Sequence, residues 1–230
     1  AARRRRATPW RGPPGLPILE PTMFKRYSIH PENPQKRAVA AAVEALADGA
    51  LIIYPTDSCY AFGWAIDAAR AADAVRELRG LAEKQPFAMM CPDLAGVGRF
   101  ARLDNAHHRL VRQLTPGPYT FLLPATRELP RRLTDPKRRV VGVRIPDSRT
   151  AQALLAEHGA PFMTSTLQLA GDALPISELD DLPKRLTDRV SVVLDAGAGG
   201  FEPSTVVDLT EPMPEVVRVG RGPVDAALGG

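Results

Sequence analysis

The sequence predicts an α/β fold in a single domain, built on a twisted mixed sheet. Three observations carry this. Short apolar runs alternate with segments of helical period, the signature of α/β architecture. Several apolar runs follow one another with no helix between them, so some strands must pair antiparallel. No internal repeat and no change of composition appears after residue 23. The chain has 230 residues, 44% of them hydrophobic and 24% charged, enough for a sizeable core and too apolar for disorder along its length.

In chain order, 24–30 alternates loosely and reads as an edge strand. Asn33 and Pro34 offer an N-cap and a first helical residue. Val39, Val43 and Leu46 then recur at helical spacing until Gly49. The apolar run 50–54 is a buried strand, broken by Pro55-Thr56-Asp57-Ser58, and 60–66 is the next strand. Ala71, Ala74, Val75 and Leu78 mark a second helix. Residues 87–91 are strand-like, and 93–114 hold one or two helices. Pro116-Gly117-Pro118 turns the chain into a strand over 119–123, and Pro146 stops another over 140–145. Ala151, Leu154 and Leu155 share a helical face; Phe162-Met163 leads into the polar stretch Thr164-Ser165-Thr166. Strands are expected at 191–194, 205–209 and 215–219. The glycine-rich stretch 196–200 reads as a flexible loop.

The net charge of +4 belongs to residues 1–22, which hold five arginines against Glu20 alone; residues 23–230 balance at zero. With five prolines and no apolar period, 1–22 reads as a disordered basic extension ahead of a domain over 23–230. Contact with RNA, a targeting role, or a chain start at Met23 are the alternatives. No apolar run reaches the 18 or so residues of a membrane span. Cys59 and Cys91 form no CxxC pair, so a reduced, cytoplasmic setting with small buried thiols is expected.

Most catalytic signatures are missing. Neither G-x-x-x-x-G-K-[ST] nor G-x-G-x-x-G occurs, and there is no G-x-S-x-G elbow. His107-His108 are adjacent, which denies both rings one helical face; they read as a solvated helix surface, and no metal site is predicted. What stands out is polar strand ends: Thr56, Asp57 and Ser58; Thr120; Arg144; Ser165 and Thr166; Ser204 and Thr205; Arg218. Hydroxyls and arginines at sheet edges suit a phosphate and a carboxylate, although Ser and Thr are also ordinary turn formers.

The same segments resemble the YrdC family of threonylcarbamoyl-adenylate synthases. The matching stretches are YPTDSCYAFG (54–63), TPGPYTFLL (115–123), VGVRIP (141–146), STVVDLT (204–210) and VVRVG (216–220). YSIHPENPQKR (27–37) and MCPDL (90–94) are more similar to the YciO branch. The resemblance implies a mixed sheet around a large concave cavity. It also implies a reaction in which threonine and bicarbonate form a carbamate that attacks the α-phosphate of ATP. The products are threonylcarbamoyl-AMP and pyrophosphate, Mg²⁺ accompanies ATP, and a partner transferase then modifies tRNA. Such chemistry needs positioned anions and neutralising donors rather than a nucleophile.

By that resemblance Thr56, Ser58, Thr120 and Arg144 belong to the threonine side, and Arg79, Gln85, Ser165, Thr166, Ser204 and Arg218 to the nucleotide. On the residues alone Arg144 also fits a buried ion pair, and Arg218 a surface position. The chain departs from the family pattern in places. Leu81 stands where a second phosphate-binding arginine is usual, a loss of about 1.5–3 kcal/mol for such a contact. Thr166-Leu167-Gln168 replaces Ser-x-Asn, Met90 a pocket histidine, and Gln85, beside Lys84, a lysine. A non-catalytic double-stranded RNA- or ribosome-binding module of the same fold is the alternative.

Overall fold

The computed structural model describes residues 25–82, 85–134 and 137–227; the basic extension expected over 1–22 and Lys84 lie outside these. Ten strands form one sheet. In chain order they are β1 (Lys25–Ser28), β2 (Leu51–Tyr54), β3 (Ala61–Trp64), β4 (Ala88–Met90), β5 (Tyr119–Pro124), β6 (Val140–Arg144), β7 (Phe162–Thr166), β8 (Val190–Asp195), β9 (Thr205–Asp208) and β10 (Glu215–Arg218). Their spatial order is β1-β8-β2-β3-β7-β4-β6-β5-β9-β10. The sheet is mixed: β2–β3, β3–β7, β4–β7, β5–β6 and β9–β10 pair antiparallel, and the other four neighbours are parallel. As expected, β1 is an edge strand.

The helices are α1 (Lys36–Ala47), α2 (Ala69–Arg79), α3 (Leu94–Phe100), α4 (Asn105–Leu114), α5 (Arg149–His158), α6 (Lys184–Thr187) and α7 (Val224–Ala227). The segment 93–114 is thus two helices, and each starts on an aspartate whose carboxylate accepts from a first-turn N–H: Asp93 from Gly96 at 2.8 Å, Asp104 from His107 at 2.8 Å. The cap of α1 differs from the expectation. The helix starts two residues after Pro34, its N-cap is Gln35, and no side chain caps it. The Gln35 side chain accepts instead from the His30 N–H, tying the helix start back to β1. Glycines in the left-handed region, Gly80 and Gly159, end α2 and α5.

Strand alternation sorts side chains into two cores. On one face Ile53, Phe62, Met89, Phe121, Leu123, Val141, Val143, Met163 and Val207 meet α2, α3 and α4 in the larger core. On the other, Ile52, Tyr54, Met90, Phe162, Val192 and Leu194 meet α1 and α5. Those two helices cover only part of their face. Over the rest, residues alternate out of the large core towards open space: Thr120 and Leu122 flank Phe121, Gly142 and Arg144 flank Val143, and Val206 precedes Val207. The uncovered part is where the candidate site lies.

Candidate active site

The uncovered face bounds a cavity of about 290 Å³. Its floor is small or apolar, formed by Ala61, Ala88, Leu122, Gly142 and Val206, with Leu81 and Phe87 from the α2–β4 connection. Gly142 keeps the floor low: a Cβ there would lie 3.1 Å from Ala88 and 3.2 Å from the Thr120 methyl. Polar groups ring the floor. Of the ten residues anticipated from the sequence, Arg79, Gln85, Thr120, Arg144, Ser165, Thr166, Ser204 and Arg218 all line this cavity.

Arg79 ends α2 and donates through Nη1 to Ser165 Oγ at 2.6 Å. Its Nε is buried without a hydrogen-bond partner, and no carboxylate pairs with it among the described residues. Burial, followed by the field of Arg218, pushes its pKa down to about 10. Arg218 ends β10 at the rim. It is exposed, consistent with a surface position, yet its guanidinium donates twice to the Ser204 carbonyl, at 2.7 and 3.2 Å, and once to Ser204 Oγ at 3.2 Å. Ser204 Oγ in turn shares a 2.7 Å hydrogen bond with Thr120 Oγ1. Desolvation lowers the Arg218 pKa as well. Two arginines without a counter-ion among the described residues therefore face one space, an arrangement that an anion stabilises.

Arg144 resolves differently. Its Nη2 donates to Asp57, to Ser58 Oγ at 2.8 Å and to Thr56 Oγ1 at 3.3 Å. Asp57 also accepts from the Asp147 N–H at 3.0 Å, and both side chains of the ion pair are over 90% buried. The buried-pair reading is thus realised, although Arg144 still lines the cavity and its Nε has no partner. Thr56 and Ser58 lie one layer behind. They line a second hollow of about 710 Å³ between the 55–60 loop and the start of α5, with Cys59 bordering both. Hydrogen bonds through Arg144 link the two sets across that layer.

Several residues depart from their expected settings. Stretch 196–200 is pinned rather than free: Tyr60 Oη donates to the Gly197 carbonyl at 2.7 Å, and a Cβ on Gly200 would lie 2.0 Å from the Ser58 carbonyl oxygen. Met90 is fully buried with Tyr54 and Phe162 and does not line the cavity. Gln168 donates to the Asp172 carbonyl at 2.9 Å within its own turn, away from the lining. His107 is buried, its Nε2 unpartnered, whereas His108 is exposed as expected. Cys59 and Cys91 are buried free thiols. Among the described residues no His, Cys, Asp or Glu side chains cluster as a metal site, and no helix is long and apolar enough to cross a membrane.

An α/β sheet that gathers arginines and hydroxyls at strand ends around one hollow is suited to receiving an anion. The chain belongs to the Sua5/YciO/YrdC family, whose model, described as "Telomere recombination", matches residues 44–220. Escherichia coli YciO, a protein of uncharacterised activity, is 40% identical over 206 residues, covering 90% of this chain and all of that one; its crystal structure superposes with a TM-score of 0.85. Human threonylcarbamoyl-AMP synthase is 34% identical over 184 residues, 76% of this chain and 64% of the relative. Pyrococcus abyssi Sua5 complexed with L-threonine shares the fold, with a TM-score of 0.79 at 23% identity over 90% of this chain and 61% of that one.

Proposed function

We propose that the chain forms threonylcarbamoyl-AMP from L-threonine, bicarbonate and ATP, for use by a tRNA-modifying transferase in the cytoplasm. The observation that carries the reading is the pair of arginines, Arg79 and Arg218, which face one cavity without a carboxylate partner among the described residues. The human relative named for this activity supports the reaction class, and the threonine-bound Sua5 supports the amino acid.

In this reading the threonine amine adds to bicarbonate-derived carbon dioxide, giving a carbamate. The carbamate oxygen then attacks the α-phosphorus, and the bond to pyrophosphate breaks. Arg79 and Arg218 hold the phosphates and neutralise the charge that gathers on leaving pyrophosphate, a task for fixed donors in a desolvated space. Ser165 and Thr166 beside Arg79, and Ser204 beneath Arg218, add hydroxyl contacts, with Gln85 at the rim. Thr120 and Arg144 orient the amino acid, and Arg144 holds Thr56 and Ser58 in place behind it. Mg²⁺ accompanying ATP would supply further charge neutralisation to the triphosphate beside Arg79 and Arg218.

The test is incubation of the full chain with ATP, threonine, labelled bicarbonate and Mg²⁺, followed by resolution of the adenylates. A labelled threonylcarbamoyl-AMP peak that is lost in Arg79→Ala is expected. No adenylate above background, with no binding of ATP or threonine by calorimetry, overturns the reading.

A further inference from the structure

The two edges of the sheet are built differently. At one, β1 carries Lys25 and Arg26, and Arg26 is paired with Asp180 and Asp195, a charged edge of the kind that discourages association. At the other, a bulge interrupts β10. Val216 pairs with Val207 and Arg218 with Val206, which leaves Val217 without a counterpart in β9. A bulge hinders the addition of another strand and re-aims the extra side chain, here an exposed valine. Of the five large exposed apolar side chains among the described residues, four lie along this edge, 48 to 79% exposed: Met213 before β10, Val217 within it, Val219 after it, and Phe201. Phe201 is two residues from Pro203, whose carbonyl accepts from the Arg221 N–H at 3.0 Å, so it stands towards the Val219 end of the strip.

The same stretch, 201–219, carries Glu202, Asp208, Glu211 and Glu215 against Arg218 alone. Asp208 is paired with Arg138. Glu202, Glu211 and Glu215 are exposed and have no ion-pair partner among the described residues. An acidic strip set against its own copy across a two-fold axis repels it, so a second molecule is a poor cover. The apolar side chains and the acids together suit an occupant that is both apolar and basic. The chain itself supplies one: residues 1–11 hold five arginines, no acid and Trp10. Arginine stems cover apolar surface while their forks pair with carboxylates, and a tryptophan provides a large apolar anchor.

We infer that the amino-terminal segment 1–11 docks on the β10 edge of its own molecule, with Trp10 against the apolar strip and the arginines on its glutamates. Chain length allows this. From Lys25 the fold leads three residues along β1 to Ser28, across one strand spacing to Asp195 and six residues on to Phe201, a path of at most about 37 Å. The fifteen steps from Lys25 back to Trp10 reach about 50 Å when extended. Tethered at that length, the segment is held near its strip at roughly millimolar effective concentration, so contacts too weak to hold a free peptide suffice. The inference stands apart from the adenylate reading, because it relies on no residue given a role there.

Trp10 reports on the contact, because the other tryptophan, Trp64, is fully buried. The experiment is acrylamide quenching of tryptophan emission in the full chain, at low salt and at about 0.5 M salt, with protein from roughly 1 to 100 µM. In the wild type at low salt the accessible emission should be quenched less than free N-acetyltryptophanamide, equally at every protein concentration, and the shielding should weaken as salt rises. Val217→Lys/Val219→Lys, Glu211→Lys/Glu215→Lys, and a variant with Arg3, Arg4, Arg5 and Arg6 changed to Ser should each lose the shielding. The far-UV spectrum and the unquenched Trp64 emission show that the variants are folded. Should the lysine variants unfold, Glu211→Gln/Glu215→Gln must give a loss in the same direction. Wild-type quenching equal to that of the free amide, or shielding that survives the strip and tail substitutions alike, overturns the inference. So does shielding that appears only as sedimentation shows the chain associating, which would assign the strip to a second copy.

Discussion

Arg218 faces Arg79 across a cavity that both line, and burial, followed by the field of Arg218, lowers the Arg79 pKa. Among the described residues neither guanidinium has a carboxylate, so the protein holds two like charges in a partly desolvated setting. Such a pair is a cost to the fold unless an anion arrives. Arg79→Met is therefore expected to leave the melting temperature unchanged or raised, the lost bond to Ser165 offset by relief of desolvation and repulsion. Affinity for pyrophosphate or ATP should fall about tenfold or more. Thermal melts and calorimetric titration on the same sample check both halves.

Arg144 makes the opposite case. Its partner Asp57 is buried with it, and three acceptors on the 56–58 loop converge on one Nη2. Asp57→Asn strands a buried cation and should destabilise by about 3–5 kcal/mol. Asp57→Asn combined with Arg144→Met removes both charges and should recover part of that loss. Urea unfolding of the two single variants and the double variant closes the cycle; additive losses would mean the pair is not coupled.

Much of this architecture was legible in the residues. The apolar runs at 50–54, 119–123 and 140–145 form strands of the sheet, the first covered on both faces and the other two packing one face into the larger core, and α1, α2 and α5 show their apolar faces by period. Of the hydroxyl and arginine strand ends, Thr120, Arg144, Ser165, Thr166, Ser204 and Arg218 marked the cavity, whereas Thr56 and Ser58 hold the turn behind it. Three things were not legible. The helices α6 and α7, four residues each, are too short to show a period. The pinning of 196–200 depends on contact with Ser58 and Tyr60, far away in sequence. Burial of His107 follows from packing that adjacency to His108 does not reveal.

The floor of the cavity gives a steric test. At Gly142 a Cβ meets Ala88 and Thr120 at 3.1–3.2 Å, so Gly142→Val must shift both slightly and project a methyl into the space. The expected cost is about 1–3 kcal/mol in stability. Binding of threonine and nucleotide should be lost while the far-UV spectrum is kept. Retained binding at wild-type affinity would place the ligands elsewhere.

Buried acids set the alkaline limit. Burial pushes the Cys91 thiol up to about 12 and the Tyr60 hydroxyl up to about 12, from ordinary values near 9 and 10. The sign follows from proton counts. Between the unfolded and folded pKa the native state keeps a proton that the unfolded chain has lost, so stability falls as pH rises through that window. The loss begins near pH 9 for Cys91, at up to about 1.4 kcal/mol per pH unit per group. Cys91→Ala should lower stability at pH 8 by leaving a small cavity, yet flatten the slope between pH 9 and 11. Denaturant unfolding across that range separates the two effects.

Leu81 offers a gain-of-function test, since the resemblance to the synthases places a second cation there. The side chain lines the cavity two residues beyond Arg79, just past the left-handed Gly80 that ends α2. Leu81→Arg therefore puts a third guanidinium on the wall where Arg79 and Arg218 already stand. In the empty protein the added charge repels both, and the melting temperature should drop. With a triphosphate bound, the new charge-assisted contact is worth about 1.5–3 kcal/mol, which corresponds to roughly 10- to 100-fold tighter binding. Repulsion acts in the empty protein and the new contact forms only with ligand bound, so ATP should raise the melting temperature of the variant by more than it raises that of the wild type. Equal shifts in the two proteins, with unchanged ATP affinity, would show that the phosphates do not reach this wall.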